Sequence, residues 1–330
     1  MRDLADTIDN LPMRDDHLRS VTHDDEPALI ELFAKVFGVQ RSSAEWRWKF
    51  VASRALARDF TPVESMVALD PSGMIIAHAG ALCLPGVFRG KRTPFVQICD
   101  VMVHPSYRGG IGQNNLFTVL LRSLLSKIAT DLPTAFRYGF PGRGPYLVGE
   151  RAGVYGLMEV ALKADVPAKG PLSASFWRVV PLSWGDDRLD VLWGRLRKSF
   201  TLGLVRDAAY LRWRYADNPV RSYELFGLAR FGRLQGWVVS CCEQGERRLV
   251  DLLLPPASIR AAIHAVARHV GANRAPEPLS VWLPHAWRSR LDLPMLETPV
   301  FAANMCWRSA IDTATAREHL YYTMGDVDIY

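Results

Sequence analysis

One series of patterns runs along this chain twice. The first run opens with HLRSVTHDDEPALIELFAKVFG, a short strand, a polar turn and an amphipathic helix; the second opens with FWRVVPLSWGDDRLDVLWGRLRKSF in the same order. Asp24 or Asp25 can cap the first helix, whose apolar stripe reads as Ile30, Phe33, Ala34 and Phe37. Asp186 or Asp187 caps the second, with Leu189, Leu192, Trp193 and Leu196 as its stripe. A basic, tryptophan-bearing pair of turns follows in each run, AEWRWKF at 44–50 and AYLRWRY at 209–215. Alternating apolar residues then flank a Pro-Ser-Gly turn in one run and a Phe-Gly-Arg turn in the other, the pattern of a hairpin. A strand ending in proline leads into a helix: FVQICDVMVHP into LFTVLLRSLLSKIA, and RRLVDLLLPP into SIRAAIHAVARHV. Each run closes with a strand, a short irregular helix and a last strand. Matched order across six elements points to duplication of one α+β plan.

A chain of 330 residues can bury two such cores. The repeat divides it into an extension at 1–16, a first domain at 17–163, a linker at 164–174 (ADVPAKGPLSA), a second domain at 175–316 and a tail at 317–330. Forty basic against thirty-four acidic residues give a charge of +6, scattered along most segments. That excess suits an anionic ligand but does not require nucleic acid. The longest apolar stretch, Met74 to Phe88, is interrupted by His78, Gly80 and Pro85 and is no membrane-spanning helix. The opening MRDLADTIDN is charged throughout, unlike a signal peptide. The five cysteines show no metal-ligand spacing, and four lie in strand-like runs, so no metal and a cytoplasmic setting are expected.

Glycine chemistry occurs in one run only. Between the fourth strand and the next helix lies VMVHPSYRGGIGQNNL, residues 101–116, with Gly109, Gly110 and Gly112 inside four positions. Such glycines allow close backbone approach to a ligand and positive φ. The helix beginning near Gln113 carries Leu116, Leu120, Leu124 and Ile128 on one face, so its unpaired N–H groups point back at the turn. Helix N-termini of this kind hold phosphate, and Arg108 adds a charged donor. The matching place in the second run, LLLPPASIRAAI, has no glycine. The dinucleotide fingerprint G-x-G-x-x-G fails, because Asn115 stands at its third glycine.

A strand ending V-x-x-P-x-x-R-G, then glycines and an amphipathic helix, resembles motif A of the GNAT N-acyltransferases. The opening LRSVTHDDEPALIELF resembles their first strand and helix. The resemblance covers residues 17–163, with 175–310 as a degenerate second copy. It implies two domains, each a mixed, mainly antiparallel sheet flanked by helices. It further implies that Arg108, Gly109, Gly110, Gly112 and Gln113 cradle the coenzyme A pyrophosphate. Val101, Met102 and Val103 would bind the pantetheine arm, the N–H of Val101 or Met102 serving the thioester oxygen. The family spacing is not met in full: counting from Arg108 puts Ile111 and Gln113 where glycine is expected, as in a loop one residue shorter.

The implied reaction is attack of a neutral amine on an acyl-CoA thioester, acetyl by default or a longer acyl chain, with no metal. Partners are then the acyl-CoA and a primary amine, with no membrane and no nucleic acid; the oligomeric state is left open. Asp100 can be the base beside the thioester, or a structural acid, since Asp251 holds its place in the run without the loop. Tyr146 is a candidate acid for the leaving thiolate, with Tyr138 and Tyr155 as weaker ones; water is the alternative. Trp46 and Trp48 either pack or border the acceptor cleft, while His78 and His104 read as core and turn residues. Two other readings stand beside this one. A Fem-like transferase would use aminoacyl-tRNA but lacks a pyrophosphate loop; a CoA-binding scaffold would bind without turnover.

Overall fold

The computed structural model describes residues 17–109, 115–243, 245–273 and 279–327. They form two compact units. The first comprises the chain up to Leu84, Pro94–Leu157 and Ala303–Thr313; the second comprises Pro85–Thr93, Met158–Ala302 and the chain from Ala314. The units are therefore interleaved, whereas the sequence repeat suggests two consecutive stretches joined at 164–174.

The first run contains β1 (Leu18–Ser20), α1 (Glu26–Phe37), α2 (Ser43–Phe50), β2 (Met66–Leu69), β3 (Ile75–Phe88), β4 (Lys91–Val103), α3 (Leu116–Asp131), β5 (Phe136–Gly139), α4 (Arg143–Arg151) and β6 (Tyr155–Val166). The second contains β7 (Trp177–Pro181), α5 (Arg188–Leu196), β8 (Leu202–Leu204), α6 (Ala208–Leu211), β9 (Glu224–Arg230), β10 (Arg233–Glu243), β11 (Glu246–Leu253), α7 (Ile259–Asn273), β12 (Leu279–Trp282), α8 (His285–Arg288) and β13 (Leu296–Met305). Apart from the added β8, the order of elements repeats. The chain then ends in α9 (Thr313–His319) and β14 (Leu320–Tyr321).

In the first unit β1, β2 and β3 pair antiparallel in sequence, β4 pairs β5 in parallel, and β5 pairs β13 antiparallel through Ala303↔Gly139 and Asn304↔Tyr138. In the second, β7, β9, β10 and β11 pair antiparallel, β11 pairs β12 in parallel, and β12 pairs β6 antiparallel from Leu279↔Val166 to Trp282↔Lys163. Both sheets are mixed and mainly antiparallel. The last strand of each run thus completes the sheet of the other, which is why residues 164–166 are strand rather than linker.

Local chemistry explains the elements. Asp70 Oδ1 accepts from the Ser72 and Met74 N–H groups, at 2.9 and 3.0 Å, and Gly73 at φ 85° closes the β2–β3 turn. Phe231 and Gly232, at φ 51° and 74°, make the two-residue β9–β10 turn. The α3 face of Leu116, Leu120, Leu124 and Ile128 is buried as its periodicity predicts, joined by Leu121 and Leu125. Each such side chain contributes about 1.5–3 kcal/mol on burial. The α5 stripe of Leu189, Leu192, Trp193 and Leu196 is buried too.

The α1 stripe differs from expectation. Leu29 and Leu32 are the buried residues, while Ile30, Phe33 and Ala34 are half-buried and Phe37 is 48% exposed. Neither aspartate caps that helix through its side chain. Asp25 instead accepts from Thr22 N at 2.7 Å and from both Arg19 terminal nitrogens, tying the helix start to β1.

Candidate active site

The parallel register of β4 with β5 runs from Phe95↔Phe136 to Gln97↔Tyr138. Strand β4 continues to Val103, whereas β5 ends at Gly139 and the chain turns into α4. Gly139 allows the last close approach, because a Cβ there would lie 2.7 Å from the Ile98 carbonyl oxygen. Beyond that point the two strands part, and β4 continues through Asp100–Val103 past the end of the β4–β5 ladder. A parallel sheet that opens in this way exposes backbone donors and acceptors that another chain-like group can pair with.

Asp100 sits at the start of that segment in a left-handed conformation, φ 45°, which is costly for a residue other than glycine. Its side chain points toward the α1–α2 connection and is 4% exposed. Lys49 Nζ donates to Oδ1 at 3.0 Å and Arg41 Nη1 to Oδ2. Burial works to raise the Asp100 pKa, but the adjacent charges of Lys49 and Arg41 and their hydrogen bonds outweigh it and hold it at about 2. The backbone oxygen of Asp100 is fixed as well, accepting from His78 Nδ1 at 2.8 Å. Burial pushes the His78 pKa down to about 4, so the ring is neutral at physiological pH. The Trp46 and Phe50 rings lie 5.5 and 6.0 Å from it.

Val101 and Val103 are half-buried on this segment and Met102 is fully buried. His104 Nδ1 accepts from Ser106 N at 3.3 Å, and the turn Pro105–Tyr107 follows. Arg108 is exposed, and its Nε donates to the Val103 carbonyl at 2.9 Å. Gly110, Gly112 and Gln113 lie outside the described residues. Asn115 caps α3, its side chain accepting from Thr118 N at 2.9 Å. The described part of the strand–turn–helix therefore fits a phosphate-bearing, chain-like ligand: a strand that outruns its β5 ladder, an exposed arginine, a helix N-terminus.

Tyr146 is brought to α4 but 2% exposed, and its hydroxyl donates to Glu150 Oε1 at 2.5 Å. Its ring packs on Tyr155, whose own pKa burial pushes up. Tyr138 is buried between Phe136 and Phe140.

The second copy repeats the buried acid and fills the opening. Asp251 is fully buried; Arg206 Nε donates to its Oδ1 at 2.9 Å and Tyr215 Oη to its Oδ2 at 2.8 Å. Pairing of β11 with β12 stops at Leu249↔Val281, and the C-terminal segment packs against the remainder of β11. Tyr321 Oη donates to the Leu252 carbonyl at 2.9 Å, and a Cβ on Gly325 would sit 3.1 Å from the Val250 carbonyl. Arg214 donates to the carbonyls of Gly325 and Val327, at 2.8 and 2.7 Å, and Arg206 Nη2 to Asp326. Residues 321–327, unassigned by the sequence, are thus part of the second unit's core.

Sequence patterns alone did not single out the arginines. Their signal was the repeat itself, extended three residues: RSSAEWRWKF at 41–50 against RDAAYLRWRY at 206–215 aligns Arg41 with Arg206 and Ser42 with Asp207. Both aligned polar residues cap helices, Ser42 Oγ accepting from Glu45 N and Asp207 Oδ1 from Tyr210 N.

Residues 17–153 match the family model for the acetyltransferase (GNAT) domain. No curated protein sequence matches the chain significantly. Among solved structures, a conserved protein of Enterococcus faecalis V583 described as a probable N-acyltransferase gives a TM-score of 0.64 at 14% identity, over 87% of this chain and 72% of that one. A GCN5-related N-acetyltransferase from Kribbella flavida gives 0.60 at 15% identity, over 87% and 71%. Saccharomyces cerevisiae N-myristoyltransferase with bound myristoyl-CoA gives 0.53 at 11% identity, over 89% and 83%. At these identities the structural likeness is one of fold. Residues 17–153 thus form an acetyltransferase (GNAT) domain, and the likeness of fold to solved N-acyltransferases extends over most of the chain.

Proposed function

We propose that this protein transfers an acyl group from acyl-coenzyme A to a primary amine, at the opening between β4 and β5. The observation that carries the reading is the β4 segment from Asp100 to Val103, which extends past the end of the β4–β5 ladder and is followed by Arg108 and Gly109, with a side-chain cap at the start of α3. Acyl-CoA supplies an activated carbonyl. In the reaction the amine nitrogen bonds to that carbon, the carbon–sulfur bond breaks, the amine loses a proton and the thiolate gains one.

The chain's part is positioning and polarisation. The backbone N–H of Val101 or Met102 donates to the carbonyl oxygen as charge develops there. Arg108, Gly109 and, outside the described residues, Gly110, Gly112 and Gln113 hold the pyrophosphate. Asp100 serves better as a positioning residue than as the base: a carboxylate held at about pKa 2 between two cations is poorly matched to taking a proton from an ammonium. It fixes the strained turn in β4 from which the two N–H groups project. Tyr146, with its hydroxyl committed to Glu150, is a weaker candidate acid than water.

Calorimetric titration with acetyl-CoA and myristoyl-CoA tests the reading, with Arg108→Ala and Gly110→Trp as controls. Binding that both variants weaken, followed by free-thiol release with an amine, supports it. A chain that binds none of acetyl-CoA, myristoyl-CoA and free CoA overturns it. Tight binding without turnover on any amine would favour the scaffold reading.

A further inference from the structure

His78 is a buried polar group to which the acyl-transfer reading gives no role. It is fully buried on β3, and its Nδ1 lies 2.8 Å from the Asp100 carbonyl oxygen. A carbonyl oxygen only accepts, and the ring is neutral at physiological pH, so its single N–H is on Nδ1. Nε2 is buried and has no hydrogen-bond partner among the described residues. The bond to Asp100 is therefore the polar contact that the ring makes there.

The second copy separates this contact from the ion pairs around it. Gly73 and Gly232 close the β2–β3 and β9–β10 turns at φ 85° and 74°, and five residues beyond them stand His78 and Trp237. Both are fully buried, but Trp237 Nε1 makes no hydrogen bond among the described residues. Asp251 keeps the buried carboxylate and its arginine, yet has no left-handed φ, whereas Asp100 has one at 45°. The carboxylate–arginine pair is thus common to both copies. The ring-to-carbonyl bond and the left-handed turn occur together, in the copy that carries the glycine loop.

Peptide geometry connects the two. The Asp100 carbonyl and the Val101 N–H belong to one planar trans peptide, so they point in opposite directions. A donor that fixes the carbonyl also fixes that N–H and directs it away from His78. The Met102 N–H belongs to the next peptide and is not held in this way.

We infer that His78 is a positioning residue for acyl transfer: its Nδ1–H holds the Asp100 peptide so that the Val101 N–H is the donor to the thioester oxygen. The inference rests on the acyl-transfer reading for the thioester, but the ring's tautomer and the held peptide can be read without it.

The test compares two variants of the full chain, checked for folding by circular dichroism. His78→Asn keeps an N–H close to the Nδ1 position, and His78→Phe keeps a ring without a donor. Nitrogen-15 NMR without ligand should find the His78 proton on Nδ1. The Val101 amide resonance should move in His78→Phe and hold in His78→Asn. Acetyl-CoA and myristoyl-CoA labelled with carbon-13 at the thioester carbonyl then serve for infrared spectroscopy. The bound carbonyl should absorb below its frequency in water; His78→Phe should lose that shift and His78→Asn keep it, with free CoA bound equally by all three. With an amine that the wild type acylates, kcat should fall roughly hundredfold in His78→Phe at an acyl-CoA KM within about twofold. A proton on Nε2 would overturn the inference, and that result does not depend on either variant folding. Equal carbonyl frequencies in wild type and His78→Phe would overturn it too, as would loss of the shift in a folded His78→Asn, which would make the ring a packing element. Failure of the acyl-transfer reading is a different result: the proton on Nδ1 and no acyl-CoA bound.

Discussion

Arg41, in the connection between α1 and α2, donates to the carboxylate of Asp100, fifty-nine residues away in sequence. Lys49 holds the other oxygen. The second copy repeats the arrangement with Arg206 on Asp251, where no glycine loop follows. An ion pair kept in both halves belongs to the framework of the fold, and in the first half that framework sits under the proposed thioester site.

Removing the charge at Asp100 leaves the buried Lys49 ammonium and the half-buried Arg41 guanidinium without their shared counter-charge. Asp100→Asn should therefore destabilise the first unit by about 3–5 kcal/mol, the usual cost of breaking a buried pair. Urea denaturation measures it. Loss of turnover with wild-type stability would instead reassign Asp100 as a base.

Stability should respond to pH in opposite directions at two carboxylates. Asp100, lowered to about 2, contributes stability at any pH above the ordinary 3.8, lost as pH falls through 2. Burial raises Asp326 to about 6 against the opposing charge of Arg206, with Asp251 adding to the rise. The folded state then holds its proton more tightly than the unfolded chain. That contribution is complete below 3.8 and disappears as pH rises through 6. Denaturation curves between about pH 4 and 7 should show stability falling with pH in this window, and Asp326→Asn should flatten the slope.

Tyr146→Phe is expected to leave kcat within about twofold, since its hydroxyl already serves Glu150. A general acid typically contributes about 10²–10⁴ in rate, so a hundredfold loss in steady-state assays would restore it to the mechanism.

Gly80→Ala places a methyl group 2.6 Å from the Cys99 carbonyl oxygen. Backbone cannot yield as a side chain can, and the overpacking should cost about 1–3 kcal/mol. Because Cys99 precedes Asp100, acyl-CoA affinity should fall along with the melting temperature. Unchanged affinity would separate the Asp100 turn from the binding segment.

The C-terminal segment is predicted to protect β11. Arg214→Ala removes two donors from the Gly325 and Val327 carbonyls. Hydrogen exchange at Val250–Leu253 should accelerate in that variant and stay unchanged at Val101–Val103 of the first unit.

What the sequence by itself determined is the local and the repeated. Leucines at 116, 120 and 124 declare their helix face because the 3.6-residue period depends on nothing distant, and the Asp70–Gly73 turn is written in its own four residues. The order of elements could be read twice, and with it a mixed sheet in each half. Tertiary structure decided the rest. The α1 stripe moved to Leu29 and Leu32 because what packs on a helix, not its periodicity alone, selects the buried side. Strands β6 and β13 each read as the end of their own run, yet pair in the other's unit, since strand pattern specifies which face is buried and not which neighbour supplies the hydrogen bonds. The partners of Asp100 likewise lie more than fifty residues away, and only the folded chain brings Arg41 and Lys49 to one carboxylate.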